Sequence, residues 1–208
     1  MASPDVFSRK VLLSLAEARQ ARELAHQQVN ELAADAGFRR RYRDVMLSKI
    51  LHAAIGSAHA AMGNIQLFDS ASARLLIHSH EGFDPPFLEY FAAVETGRAA
   101  CGAALQSRAR VIVPDVTDSE IFDRSEALEV LLDSDVRSVQ STPLIGARGQ
   151  LLGVLSTHDS APGAPNFEQL HSLDYFAAWA AGLIEWHDSQ CRAPLLGGLA
   201  ASAQPSRR

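Results

Sequence analysis

Between residues 137 and 158 the chain alternates apolar and polar positions along two runs, 139–145 and 151–158. Both runs are rich in β-branched and long aliphatic residues, and Gly146-Ala147-Arg148-Gly149 between them is a glycine-bearing loop of hairpin length. The pattern predicts two strands joined by a tight connection. Gln140 and Thr142 share one face of the first strand, and Ser156 and His158 share one face of the second, because successive strand residues point to opposite sides. A strand that is apolar on one side and polar on the other does not lie between two dry cores. Its polar side meets water, a neighbouring element, or the wall of a ligand cavity.

Elsewhere the periods are mixed. Ser3-Pro4-Asp5 starts a helix that is expected to run to about Ala36 and stop at Gly37. Along it Val11, Leu15, Ala18, Arg22, Ala25, Val29, Leu32 and Ala36 follow alternating steps of four and three, a heptad seam. Such a helix either lies on its own domain or pairs with a second copy across a dimer interface. A second helix is predicted over 38–54. Its basic run, Arg39-Arg40-Arg41 with Arg43, reads as a solvated face, because no aromatic platform accompanies it. A hairpin then joins 63–69 to 74–80, with Leu76, His78 and His80 on one side of the second strand. That histidine spacing is compatible with metal ligation, but no cysteine or carboxylate of matching spacing is near, so exposed or hydrogen-bonded histidines are expected. From Pro85 a helical pattern carries Phe87, Leu88, Phe91, Ala92 and Val94, and 99–105 is a run of small residues. A short strand over 110–113 and two short helices, 118–122 and 125–133, precede the central hairpin. Asn166 with Gln169 forms a capping box for a last helix. Its buried face is expected to hold Phe167, Leu170, Leu173, Phe176, Ala177, Ala180 and Ile184. The Gly-, Ala- and Ser-rich stretch past Asp188 is expected to be disordered.

Composition narrows the class. Of the 208 residues 47% are hydrophobic and 21% charged, globular values, and the net charge of −5 argues against a dedicated nucleic-acid or anionic-membrane binder. Two cysteines, Cys101 and Cys191, make no disulfide framework. No signal peptide opens the chain and no apolar run is long enough to span a bilayer. The expected setting is cytoplasmic.

Six phrases occur in an order that resembles the GAF domain, as found in bacterial signalling proteins. They are Asn64-Ile65-Gln66-Leu67, Glu81-Gly82-Phe83, Ala100-Cys101-Gly102-Ala103-Ala104, Val111-Ile112-Val113-Pro114-Asp115-Val116, Val139-Gln140-Ser141-Thr142-Pro143-Leu144 and Gly153-Val154-Leu155-Ser156-Thr157-His158. The similarity covers about 50–187. It implies an α+β, GAF-like fold: an antiparallel sheet of about six strands, first and last helices on one face, and a helix-roofed pocket on the other. The implied pocket places Asn64, Gln66, Gln140, Thr142 and His158 beneath a roof formed around Phe87, Phe91, Cys101 and Phe122. Departures narrow the ligand. The spaced residues that mark cyclic-nucleotide-binding relatives are missing, with no lysine after Lys49, and Cys101 is followed by Gly102 where bilin-attaching relatives carry Cys-His. Asp135 stands where relatives often have glycine, and Ser119-Glu120 where they commonly have Asp-Pro.

The expected organisation is a helical extension over 1–49, a GAF domain over 50–188 and a disordered tail over 189–208. The expected function is a non-enzymatic sensor or regulatory domain. It would bind an unidentified small molecule or a protein partner and form a homodimer through its N- and C-terminal helices, without nucleic acid or membrane; it would either act on a signalling partner in trans or serve as an interaction or structural module with an empty pocket. No cofactor is identified. The alternatives are a free methionine sulfoxide reductase using Cys101, with Cys191 as the distant second thiol, and a redox or haem sensor using Cys101 or His158.

Overall fold

The computed structural model describes residues 19–20, 22–25, 27–28, 31 and 35–200, with side chains through 189. The chain divides into two compact units, Met1–Tyr42 and Arg43–Arg208. In the first, the described residues from 19 to 31 are helical. Of the N-terminal heptad seam, Val11, Leu15, Ala18, Val29 and Leu32 lie outside the described residues. Gly37 does not stop a helix. The break falls at Asp35, whose carboxylate accepts the N–H of Phe38 at 2.5 Å and so caps helix α1, Ala36–Ala58.

The second unit holds the sheet. Its strands are β1 (Met62–Asp69), β2 (Arg74–Glu81), β3 (Ala93–Glu95), β4 (Val111–Val113), β5 (Ser138–Ile145) and β6 (Leu151–Asp159). They form one antiparallel sheet in the order β3-β2-β1-β6-β5-β4. Strand β3 lies inside the stretch where the sequence predicts continued helix; helix α2 ends at Tyr90, and Val94 pairs with Leu75 of β2. Helix α3 covers Ala99–Ser107, α4 covers Glu126–Asp133, and α5 covers Phe167–Ala200. The expected helix over 118–122 is replaced by a 3₁₀ turn at Val116–Asp118. Helix α5 continues twelve residues past Asp188, where disorder was expected.

Each face of the sheet carries its own core. On one face Leu47, Ile50, Leu51 and Ala54 of α1 and Leu173, Ala177, Ala180 and Ile184 of α5 close over Ile65, Leu144 and Leu155. On the other, Phe87, Phe91, Ala104, Leu105, Phe122 and Leu131 from the connecting helices and turns close over Val139 and Val154. Phe167, expected in the first core, is 82% exposed.

Candidate functional site

Strand β1 crosses the middle of the sheet, so its side chains alternate between the two cores. Ile65 goes to the helix side, while Asn64 and Gln66 go to the roofed side. Register then sets the neighbours. Asn64 pairs with Ser156 of β6, and Ser156 pairs with Ser141 of β5. These side chains line one cavity together with His158, Cys101, Phe87, Phe91, Phe122 and the first turn of α3. Seven of the nine residues expected at the site therefore meet: Asn64, Gln66, Phe87, Phe91, Cys101, Phe122 and His158.

Gln140 and Thr142 do not join them. Val139 pairs with His158 and Gln140 with Thr157, so Gln140 and Thr142 project to the helix side. There Thr142 Oγ1 accepts from Arg110 Nε at 3.0 Å, and Arg110 continues to the Leu170 carbonyl and the Asp174 carboxylate on α5. The Gln140 carboxamide packs on Thr142 and lies 3.2 Å from Thr157 Oγ1. With its oxygen toward Thr142 it also accepts from Arg110 Nε at 3.3 Å. These two residues tie the sheet to α5. Sequence alternation singled out the wrong pair on this strand; Val139 and Ser141 are the cavity residues.

The cavity is small. It measures about 20 Å³, room for a single water molecule, because aromatic rings fill most of the roof. Phe83 stacks on Phe87 with centroids 3.8 Å apart, Phe91 packs on Phe87 at 4.6 Å, and His158 stands edge-on to Phe83 and Phe87. Phe91 and Ala99 also line an outer cleft of about 450 Å³ that carries Arg74, Tyr90, Arg98 and Glu126, so they form the wall between the two spaces.

The polar groups that line the otherwise apolar cavity are uncharged. Asn64 is 3% exposed, Gln66 1% and His158 6%. Asn64 Oδ1, Gln66 Oε1 and both ring nitrogens of His158 have no hydrogen-bond partner among the described residues. Burial pushes the His158 pKa down to about 3, so its imidazole is neutral. Burial likewise pushes the Cys101 thiol up to about 12, against hydrogen bonds from the Gly102 and Cys101 amides and from Gln66. A thiol held protonated in this way is a poor nucleophile. The hydroxyls of Ser141 and Ser156 satisfy one another at 2.8 Å.

A second polar cluster was not legible in the sequence. In the β1–β2 ladder Ile65 pairs with Ser79 and Gln66 with Ile77, leaving His78 in a bulge. The bulge re-aims His78 and breaks the expected alignment of Leu76, His78 and His80. His78 Nε2 lies 3.0 Å from Asp44 Oδ1 on α1, and its Nδ1 lies 2.9 Å from Ser79 Oγ. Ser79 meets Ser48 at 3.3 Å, and one turn on His52 meets Glu81 at 3.1 Å. Burial works against the Asp44 carboxylate, but hydrogen bonds from His78 and Arg43 outweigh it and hold the carboxyl below its ordinary range. The cluster fastens α1 to β2. Among the described residues no group of three or more His, Cys, Asp or Glu is arranged to hold a metal, and no helix is long and apolar enough to cross a membrane.

Comparison with known proteins gives one family. The profile of the GAF domain matches residues 22–184. No curated protein sequence matches. Among solved structures the chain is similar to the domain of a putative two-component sensor histidine kinase from Sinorhizobium meliloti 1021, at 17% identity and a TM-score of 0.61, covering 72% of this chain and 94% of that one. It is similar to the GAF domain region of a putative membrane protein from Geobacter sulfurreducens PCA, at 18% identity and 0.60, covering 71% and 95%. It is also similar to the type II free methionine-R-sulfoxide reductase from Thermoplasma acidophilum, at 12% identity and 0.57, covering 72% and 96%. At these identities the likeness is one of fold.

Proposed function

The chain belongs to the GAF domain family, and on that premise we propose that it is a non-enzymatic regulatory domain that takes up a small, uncharged, hydrogen-bonding guest on the roofed face of its sheet. One observation carries the reading: four buried polar atoms, on Asn64, Gln66 and His158, converge without partners on one cavity. Each such atom costs about 1–3 kcal/mol when nothing bonds to it, so a guest that supplies the missing bonds is stabilised by the fold and stabilises it in turn. Among the described residues no charged side chain lines the space, which disfavours an ion. A guest larger than water enters as Phe91 swings toward the outer cleft. The domain works as a homodimer and passes its state on through α1 and α5, which share one core, to a signalling partner. Coupling requires the guest to favour one helix arrangement over another.

The test is native mass spectrometry of protein purified from its own host, on the wild type and on Asn64→Leu and Gln66→Leu variants. Retained mass in the wild type that is lost in the variants supports the reading. Variants that are merely more stable, with no mass retained by any form, overturn it.

The reductase reading draws on the thiol in the cavity and on the fold shared with methionine sulfoxide reductases. Against it, Cys101 is buried and held protonated. Turnover of free methionine sulfoxide coupled to NADPH oxidation decides between the two. A haem sensor would need space far beyond the cavity's, and an absorption spectrum of the purified protein tests it.

A further inference from the structure

We propose that a cavity at the end of the sheet, beneath the loop 160–165, is a second binding site, and that it takes a small organic cation: a primary alkylammonium of up to about six non-hydrogen atoms. It stands apart from the guest in the roofed cavity. Ser138 and Gln140 of β5 and Thr157 and Asp159 of β6 line it. These residues alternate with the ones that line the roofed cavity, so they point to the other face of the sheet.

The cavity measures about 150 Å³. Its outer wall is held off the sheet by two bonds: Ser138 Oγ donates to the Ala161 carbonyl at 2.9 Å, and the Gly163 N–H donates to the Pro114 carbonyl at 2.8 Å. Pro162 and Pro165 stiffen the loop between. On the far side Gln169 Nε2 of α5 donates to the Ala58 carbonyl at the end of α1, at 2.6 Å. The floor is polar, with Gln140 2% and Thr157 4% exposed.

The hydrogen-bond inventory sets the class of guest. Two of the five residues 161–165 are prolines without an N–H, and the Gly163 N–H is occupied, so carbonyls outnumber amides on that wall. The amides of His59 and Ala60 are also occupied, by the Gly56 and Ile55 carbonyls. Ser138 gives its one proton to Ala161, which leaves lone pairs alone facing inward. Both ends of the Gln169 carboxamide are engaged, the oxygen by the Asn166 amide. Asp159 Oδ1 accepts from the Ser160 N–H at 2.9 Å, and its other oxygen has no partner among the described residues. No lysine or arginine lines the space. A wall rich in acceptors, with a carboxylate as its one fixed charge, calls for a donor that carries positive charge. No third His, Cys, Asp or Glu joins His59 and Asp159 to hold a metal. An alkylammonium answers both halves of the site, its N–H groups toward Asp159 and its chain against the two prolines.

His59 adds a backbone observation. It follows the last residue of α1 at φ 53°, with the paired end-of-helix bonds from its own amide and from Ala60. Glycine takes that conformation without strain. A histidine stands there instead, and its side chain lines the cavity.

Isothermal titration of the full chain with butylammonium chloride tests this, with 1-butanol and sodium butyrate as neutral and anionic counterparts. It is run at about pH 8, above the range in which imidazoles charge. The wild type is expected to bind butylammonium with a dissociation constant of about 1–10 mM and to bind neither counterpart. Asp159→Asn should weaken binding at least about tenfold. His59→Gly should raise the melting temperature while it weakens capture, a combination that a purely structural histidine would not give. Failure of butylammonium to bind overturns the site. Equal binding of 1-butanol, or any preference for butyrate, overturns the class of guest. Undiminished binding in Asp159→Asn overturns the location, and undiminished binding in His59→Gly overturns the part given to His59.

Discussion

The hydroxyls of Ser141 and Ser156 face each other across β5 and β6, 2.8 Å apart and cut off from solvent. This pair defines the cavity face of the sheet centre: whatever alternates with Ser141 on β5 must point to α1 and α5. Replacing Ser141 by Ala should cost about 1–3 kcal/mol, because the Ser156 hydroxyl is left buried without its partner. The double change to Ala at both positions should cost less than the sum of the single changes. A double-mutant cycle by urea denaturation reads the difference, and strict additivity would mean that the two hydroxyls are not coupled.

Stability should fall on acidification with His158 as one cause. Its pKa is pushed down to about 3 in the folded protein, from 6.5. Between those values the unfolded chain binds a proton that the folded chain does not, so stability rises with pH across that window. The contribution is complete above pH 6.5 and is lost as pH falls below it, by about 2–3 kcal/mol at pH 4.5. In His158→Gln the slope of unfolding free energy against pH over this range should be shallower. An unchanged slope would mean that His158 titrates normally.

Gly153 sits where β6 crosses β1, and a Cβ built there runs into the backbone carbonyl of Gln66. Because the obstacle is backbone, it cannot turn aside as a side chain would. Gly153→Ala should destabilise by about 3 kcal/mol or more and drag Gln66 from the cavity. Thermal unfolding, together with guest retention in native mass spectra, measures both effects.

Cys101 should resist thiol reagents. Its proton is held to about pH 12 by burial, so folded protein at neutral pH should label at Cys101 orders of magnitude more slowly than protein in urea. Peptide mapping after brief alkylation distinguishes Cys101 from Cys191. Rapid labelling of Cys101 in the native state would reopen thiol chemistry at this site.

Local chemistry was the most legible part of the sequence. Asn166 and Gln169 form the reciprocal cap of α5, with bonds of 2.7 and 3.0 Å. Ser125 caps α4 through the Leu128 amide, and Asp135 adopts the left-handed conformation at φ 56°. The order of strands and helices was legible too, since each long strand alternates with period two. What alternation cannot supply is register between strands. It groups Gln140 with Thr142, but only the pairing of Gln140 with Thr157 decides that this group faces α5. The bulge at His78 lay beyond the sequence for the same reason, because it is a property of two strands together. Strand β3 was hidden by its length: Ala93, Val94 and Glu95 are too few to show a period.

The two outermost strands, β3 and β4, are three residues each. Such short margins make the sheet a poor template for another polypeptide to extend by adding a strand. The same brevity guards the molecule against edge-to-edge clumping when it is made in quantity.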